Sequence, residues 1–309
     1  MKIACCHVDN IENEEELISG ISRSFDLSEI PLKKVDSIMI KPNLCYYWDA
    51  STGQTTSPIL IGALIEFLRG NLRNDPKILI GEADASAMKT KHVFRMLGYE
   101  DLANRKEVEL VNLSKKPIVE CTTTIGLEEV KVTFSEKILD TELLINVPKL
   151  KYHRLPKVTC AMKNIFGAIA KSHKFSYHPN LAKMIVAANK IIHSDIILMD
   201  GLIALGNYPK KFNKILLGQD SVAVDNICSR IMGFNPNGVE YLRIADREGM
   251  NNPESKLELV GEATMEELRS NFPPVSYMKQ NVLWSLQLGL VDIYSRIVGD
   301  TIPPMLLKE

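Results

Sequence analysis

The sequence predicts an α/β fold: a largely parallel or mixed sheet flanked by helices, with a C-terminal helical extension. Three observations predict it. Short apolar runs alternate with segments whose apolar positions recur at helical spacing, the pattern of strands joined by right-handed helical crossovers. Polar residues follow those runs at once, namely Lys41, Asn43, Glu82, Asp84, Lys149, Lys151 and Asp200. In a parallel sheet the C-terminal strand ends converge on one edge, where ligands bind. Finally, residues 282–298 are apolar on most sides and supply the extension. The expected organisation is an α/β domain over 1–275, with a motif-bearing core at about 38–233, then an apolar C-terminal helix and tail over 276–309.

Taken in order, residues 2–8 read as a first strand and 13–25 as an acidic surface helix. Residues 35–40 form a second strand. Pro42 stops it, because proline has no N–H for a ladder, and Lys41 and Asn43 are delivered to a loop. Ser57-Pro58, a capping residue with proline at the first helical position, opens a helix to Arg69. A third strand, 77–80, runs into Gly81-Glu82-Ala83-Asp84-Ala85-Ser86, and the helix after it stops at Gly98. Residues 108–113, 118–124 and 129–134 read as strands, the last two as a hairpin broken at Ile125-Gly126.

The run Leu143-Leu144-Ile145-Asn146-Val147 is a buried strand ended by Pro148. From Val158 the spacing predicts a helix. Val158, Met162, Ile165, Phe166 and Ile169 lie on one face, and Thr159, Cys160, Lys163, Asn164, Gly167 and Lys171 on the other. A helix over 181–192 follows, then a strand over 195–199 ending in Asp200-Gly201, a short strand over 215–217, and a helix from Ser221 to Gly233. A helix over 239–247 and a strand near 257–260 complete the reading.

Charge is distributed unevenly. Between Leu143 and Ser194 there is no Asp or Glu, yet nine Lys/Arg and four of the six histidines fall there. The whole chain has net charge −1, so the rest carries −10. A solvated basic face normally interleaves both signs, and this stretch instead reads as an anion-binding centre. The near-neutral total excludes general affinity for nucleic acid. With 45% hydrophobic and 24% charged residues the composition is that of a globular protein with a large core. Six cysteines form no CxxC pair, and Met1-Lys2-Ile3 opens no signal peptide, so reduced thiols and a cytoplasmic location are expected. No transmembrane segment is expected. The sequence holds no GxGxxG, Walker loop or GxSxG elbow.

Several motifs together resemble domain-of-unknown-function family 362, often labelled iron–sulfur cluster-binding protein. They are Lys41-Pro42-Asn43-Leu44, Thr56-Ser57-Pro58, Pro148-Lys149-Leu150-Lys151 with His153, Thr159 with Lys163-Asn164 and Phe166-Gly167, Asp200-Gly201, and Asp220 with Val222-Ala223-Val224-Asp225. Family members that earn the iron–sulfur label resemble ferredoxins in an added cysteine-rich module. This chain lacks four closely spaced cysteine ligands, so no iron–sulfur cluster is expected. The continuation Gly206-Asn207-Tyr208-Pro209 departs from the family's glycine-rich pattern. More distantly the family is similar to the lactate racemase group, which uses a lysine-attached nickel cofactor.

Lysines near an anion neutralise it, and a lysine crowded by other cations loses basicity and can serve as base or nucleophile. The catalytic candidates are therefore Lys163, His153 and Lys149. Lys41, Asn43, Lys151, Asn164 and His178 are the substrate-binding set, and Glu82, Asp84 and Asp200 are candidate ligands for a divalent metal. Each has a plainer reading: Lys163 as a partner of Asp84 or Asp225, Cys160 as a small buried thiol, and Asp225 as a buried carboxylate needing a lysine. The function expected is an enzyme acting on a small carboxylate or phosphate. The alternatives are an accessory protein binding an iron–sulfur or other metal centre supplied by a partner, and a non-catalytic anion-binding module. Part of the apolar helix at 282–298 is expected to form a homodimer contact or a docking surface.

Overall fold

A computed structural model describes residues 1–86, 88–250 and 257–276. The C-terminal extension, and the dimer contact expected of it, lie outside the described residues. Strand β1 (Lys2–His7) leads to α1 (Glu14–Ser28), whose N-cap Asn13 accepts hydrogen bonds from the N–H groups of Glu15 and Glu16. Three acidic residues in its first turn suit the positive end of the helix dipole. Then come β2 (Ser37–Pro42), α2 (Pro58–Asn71), β3 (Lys77–Glu82), α3 (Thr90–Met96), α4 (Tyr99–Arg105) and β4 (Glu109–Asn112). Gly98 ends one helix as expected, but it also starts the next from a left-handed φ of 75°. The hairpin β5 (Ile118–Ile125) and β6 (Glu128–Ser135) forms its own two-stranded sheet. The short α5 (Glu136–Leu139) precedes β7 (Leu143–Val147).

Beyond Pro148 the structure differs from the expectation. Lys149–His153 is not a loop but a strand, β8, which pairs in parallel with β10 (Ile196–Leu205) and antiparallel with β9 (Lys157–Thr159). Val158 and Thr159 thus belong to a strand, and the helix α6 is only Ala161–Gly167. It is followed by a 3-10 turn at Lys174–Asn180 and by α7 (Leu181–Ile191). Strand β10 does not stop at Asp200. It runs five residues further, through a register shift between Gly201 and Ile203, and returns as β11 (Pro209–Gly218). The remaining elements are α8 (Ser221–Ile231), α9 (Glu240–Arg247), β12 (Glu258–Gly261) and α10 (Met265–Asn271). Thr264 and Glu267 close a capping box on α10, a helix the sequence reading passed over.

Among the described residues the main sheet has ten strands, ordered β12-β1-β11-β10-β7-β2-β3-β4, with β8 branching from β10 and β9 pairing on β8. It is mixed. Strand β11 runs antiparallel to both β1 and β10, while the β10-β7-β2-β3-β4 block is parallel. Alternating residues along each strand feed two cores. Ile38, Ile40, Ile78, Ile80, Leu143 and Ile145 face the layer that holds Leu17, Ile21 and Phe25 of α1 and Leu60, Ile61 and Leu64 of α2. Met39, Leu79, Leu144, Ile197 and Met199 face the layer of α6, α7 and α8 and the hairpin residues Val130, Val132 and Phe134. The period of two is what a sheet covered on both faces imposes on a strand. Among the described residues no helix is long and apolar enough to cross a membrane.

Candidate functional site

The ends of β2, β3 and β8, together with α6 and the 3-10 turn, enclose a cavity of about 290 Å³. Lys41, Asn43, Cys45, Glu82, His153, Lys163, Asn164, Lys174 and His178 all line it, among the apolar side chains of Leu44, Met88, Leu155, Phe166 and Phe175. The pleat that sends Met39 into the core continues to Lys41, whose side chain is wholly buried. Lys41 Nζ donates to Glu82 Oε2 at 2.8 Å and to the Pro42 carbonyl at 2.7 Å. Glu82 is fixed further by the N–H groups of Leu44 (3.0 Å) and Ala83 (2.9 Å). This carboxylate balances the Lys41 ammonium, even though burial drives the lysine's pKa below its usual range.

Lys174 Nζ donates to the carbonyls of Asp84 and Gly167, both at 2.7 Å. Burial brings its pKa down to about 7. Lys163 is held differently. Among the described residues no carboxylate or carbonyl takes its ammonium, whose recorded contact is the Phe166 ring, 5.6 Å from the centroid. Burial lowers its pKa to about 8, and the Lys151 charge adds to the effect. His153 accepts a hydrogen bond at Nδ1 from the Leu155 N–H at 3.1 Å, so its own proton sits on Nε2. Burial, then the charges of Lys163 and Lys151, hold His153 well below the ordinary imidazole pKa, and at neutral pH it is an uncharged donor. The His178 ring meets the Phe175 ring edge-on, with centroids 4.6 Å apart.

A row of amides stands behind this wall. Asn43 Nδ2 donates to Asn164 Oδ1 (3.0 Å), and Asn164 Nδ2 donates to the Lys41 carbonyl (3.0 Å) and to Asn146 Oδ1 (2.8 Å). Asn146 Nδ2 donates to the Ala161 carbonyl at 3.0 Å. These bonds tie α6 to the ends of β2 and β7.

Other candidates stand elsewhere. Lys149, a catalytic candidate, is in a buried ion pair with Asp200 at 2.9 Å and is not among the cavity's lining residues. Asp200 also takes the N–H groups of Ser57 (2.8 Å) and Leu202 (3.0 Å), which secures the entry to α2. Lys151 donates to the Gln54 carbonyl at 2.7 Å, outside the lining. Asp84 caps α3 through the Thr90 N–H at 2.8 Å. The proposed metal ligands Glu82, Asp84 and Asp200 thus have separate structural partners. Among the described residues no group of three His, Cys, Asp or Glu side chains could hold a metal ion.

Asp225 overturns a specific expectation. Among the described residues it pairs with no lysine; it accepts the N–H groups of Ala161 (2.7 Å) and Met162 (3.2 Å) and the Tyr241 hydroxyl (2.9 Å), capping α6. Burial pushes its pKa up to about 7. The acid-free stretch likewise draws acids from other parts of the chain, as Lys190 does from Glu248 and Lys149 from Asp200, and only part of its charge faces the cavity. The sequence reading missed Lys174 and Cys45. Both lie in segments without periodicity, and only the charge imbalance hinted at the first.

A family model described as domain of unknown function (DUF362) matches residues 38–230, and the chain belongs to that family. A thylakoid-associated protein of Synechocystis sp. is 22% identical over 233 residues, which cover 71% of this chain and 70% of that protein. Among solved structures, a Thermotoga maritima protein aligns with a TM-score of 0.37 at 14% identity over 62% of this chain and 51% of its own. The lactate racemase apoprotein of Thermoanaerobacterium thermosaccharolyticum aligns with a TM-score of 0.39 at 13% identity, over 74% of this chain and 56% of its own. The alignments thus span little more than half the length of these two solved proteins, and neither likeness bears on ligand or chemistry.

Proposed function

We propose that this member of the DUF362 family is an enzyme whose cavity takes a small anionic substrate, a carboxylate or a phosphate ester. The observation that carries the reading is Lys163: an ammonium group in a partly apolar cavity with, among the described residues, no carboxylate or carbonyl against it. A cation desolvated without a partner is costly, and a bound anion removes that cost. With a pKa of about 8, Lys163 passes between ammonium and amine close to neutral pH, as a group that exchanges a proton with its ligand must. The uncharged His153 offers its Nε2 proton as a second donor, Asn43 and His178 position the ligand, and Asn164 holds Asn43 in place. Lys41 is balanced by Glu82, so it lends shape and field more than net charge. Lys149 and Lys151 brace the strand end that carries His153. A cytoplasmic setting belongs to the same reading, supported by six cysteines that are all free.

Isothermal titration calorimetry with acetate, butyrate and inorganic phosphate tests it. The native protein binds at least one of them, with affinity falling tenfold per unit above pH 8 as Lys163 loses its proton. Lys163→Met weakens that binding at least tenfold. Equal affinity in the variant, or no fall above pH 8, overturns the assignment.

A further inference from the structure

The backbone dictates the direction in which the wall amides point. The Ala161 carbonyl can only accept, so Asn146 must turn Nδ2 toward it and Oδ1 away. Asn164 then meets two acceptors, Asn146 Oδ1 and the Lys41 carbonyl, and must present Nδ2 to both. Its Oδ1 is left to accept from Asn43, which therefore spends Nδ2 on that bond at 3.0 Å. The polarity runs one way along the row and leaves Asn43 Oδ1 at its end. Turning Asn43 alone would set two amide oxygens against each other. Turning all three would press amide oxygens against two backbone carbonyls.

That last oxygen is buried, and among the described residues no donor reaches it. Asn43 lines the cavity, across which the other polar groups on the wall are mostly donors: Lys163, Lys174 and the Nε2–H of His153. A buried acceptor left unmet costs the full desolvation of that atom, which is why native interiors rarely keep one. A bare monoanion satisfies the cations and leaves Asn43 Oδ1 unmet. We infer that the ligand of this cavity carries a hydrogen-bond donor as well as its anionic group, making it a hydroxy- or amino-substituted carboxylate or phosphate ester. The inference rests on the reading of the cavity as an anion site and narrows the substrate class. Asn43 is then the residue that separates substituted acids from plain ones, because a site built to hydrogen-bond a hydroxyl or amine discriminates strongly against the analogue without it.

Matched probes decide the matter by calorimetry on the native protein: butyrate against 3-hydroxybutyrate, 4-hydroxybutyrate and 3-aminobutyrate, and propyl phosphate against 3-hydroxypropyl phosphate. In at least one set the donor-bearing probe binds tenfold or more tighter than its plain partner, and Asn43→Leu brings the two within twofold. Equal affinities within every set in the native protein overturn the inference while leaving the anion site standing, since Asn43 Oδ1 is then met by solvent. Failure of every probe to bind removes the anion site and the inference together. Tenfold preference that survives unchanged in Asn43→Leu also overturns it, because the donor is then read elsewhere. Should the variant fail to fold, the native comparison alone decides.

Discussion

Replacing Glu82 with Gln strikes the one carboxylate that balances a wholly buried lysine. Glu82 receives three bonds: Lys41 Nζ at 2.8 Å and Leu44 N–H at 3.0 Å on Oε2, and Ala83 N–H at 2.9 Å on Oε1. Whichever way a glutamine amide turns, its NH2 faces a donor: at the Oε1 position it strands the Ala83 N–H, and at the Oε2 position both Lys41 and the Leu44 N–H. Removing one partner of a buried pair costs about 3–5 kcal/mol, chiefly because the remaining charge stays desolvated. The stranded backbone donor adds to this within the same range, so about 4 kcal/mol is expected from a total stability of roughly 5–15 kcal/mol. The assay is urea unfolding followed by circular dichroism at pH 7, comparing native protein, Glu82→Gln and the double variant Lys41→Met/Glu82→Gln. The double variant should regain about half the loss, since replacing both partners leaves no bare charge. The pH dependence has a definite sign. In Glu82→Gln the Lys41 pKa sits further below its unfolded value, the unfolded chain holds a proton the fold does not, and the deficit shrinks as pH rises toward 10.5. A deficit under 1 kcal/mol, or one that grows with pH, would refute the reasoning.

Lys174, at about 7 in the fold and 10.5 when unfolded, should make the native protein gain stability as pH rises across that window, by about 2 kcal/mol between pH 7.5 and 9.5. Lys174→Met lowers that slope and leaves the share contributed by Lys163, and parallel urea titrations at the two pH values check it; equal slopes in native protein and variant would contradict the assignment. Gly201→Ala puts a Cβ 2.7 Å from the Lys214 carbonyl on the neighbouring strand and 3.3 Å from the Phe212 ring. Because the strand is central and cannot slide, the substitution should cost about 1–3 kcal/mol, and an unchanged melting temperature would show that β10 has slack there.

What the sequence made legible, and what it hid, follow from the range of the forces involved. Alternation in Ile38-Met39-Ile40 and Leu143-Leu144-Ile145 is a local record of two covering layers, and those strands stand where the pattern put them. Strand ends and the polar face of one helix pointed to Lys41, Asn43, His153, Lys163 and Asn164, and all five stand on the walls of one cavity. Strand β8 stayed hidden because Pro148 and the charged side chains of Lys149 and Lys151 break the apolar pattern of a buried strand, whereas tertiary partners far along the chain, Asp200 and the Gln54 carbonyl, make the two lysines fit for one. Asp200-Gly201 looked like a stop for the same reason. Its carboxylate is satisfied by Lys149 and by the start of α2, and the missing Cβ lets β11 come close, so β10 can run on. Asp225 was expected to call for a lysine, but the exposed N–H groups at the start of α6 suffice. No local pattern announces such a choice among distant donors.

Strand β1 has a consequence for how the chain can be divided. It is held on one side by β11 and on the other by β12, and Glu262 takes the N–H of His7 and the guanidinium of Arg23. Both of its neighbours are encoded more than 200 residues downstream, so β1 is closed on both sides only after segments made long after it have folded. The stretch matched by the family model, 38–230, omits β1 and β12 alike. A fragment cut to those bounds would expose the whole hydrogen-bonding edge of β11, an invitation to pair with any passing strand. Nicking the chain between β11 and β12 would loosen its beginning as much as its end, because these distant segments form a single seam.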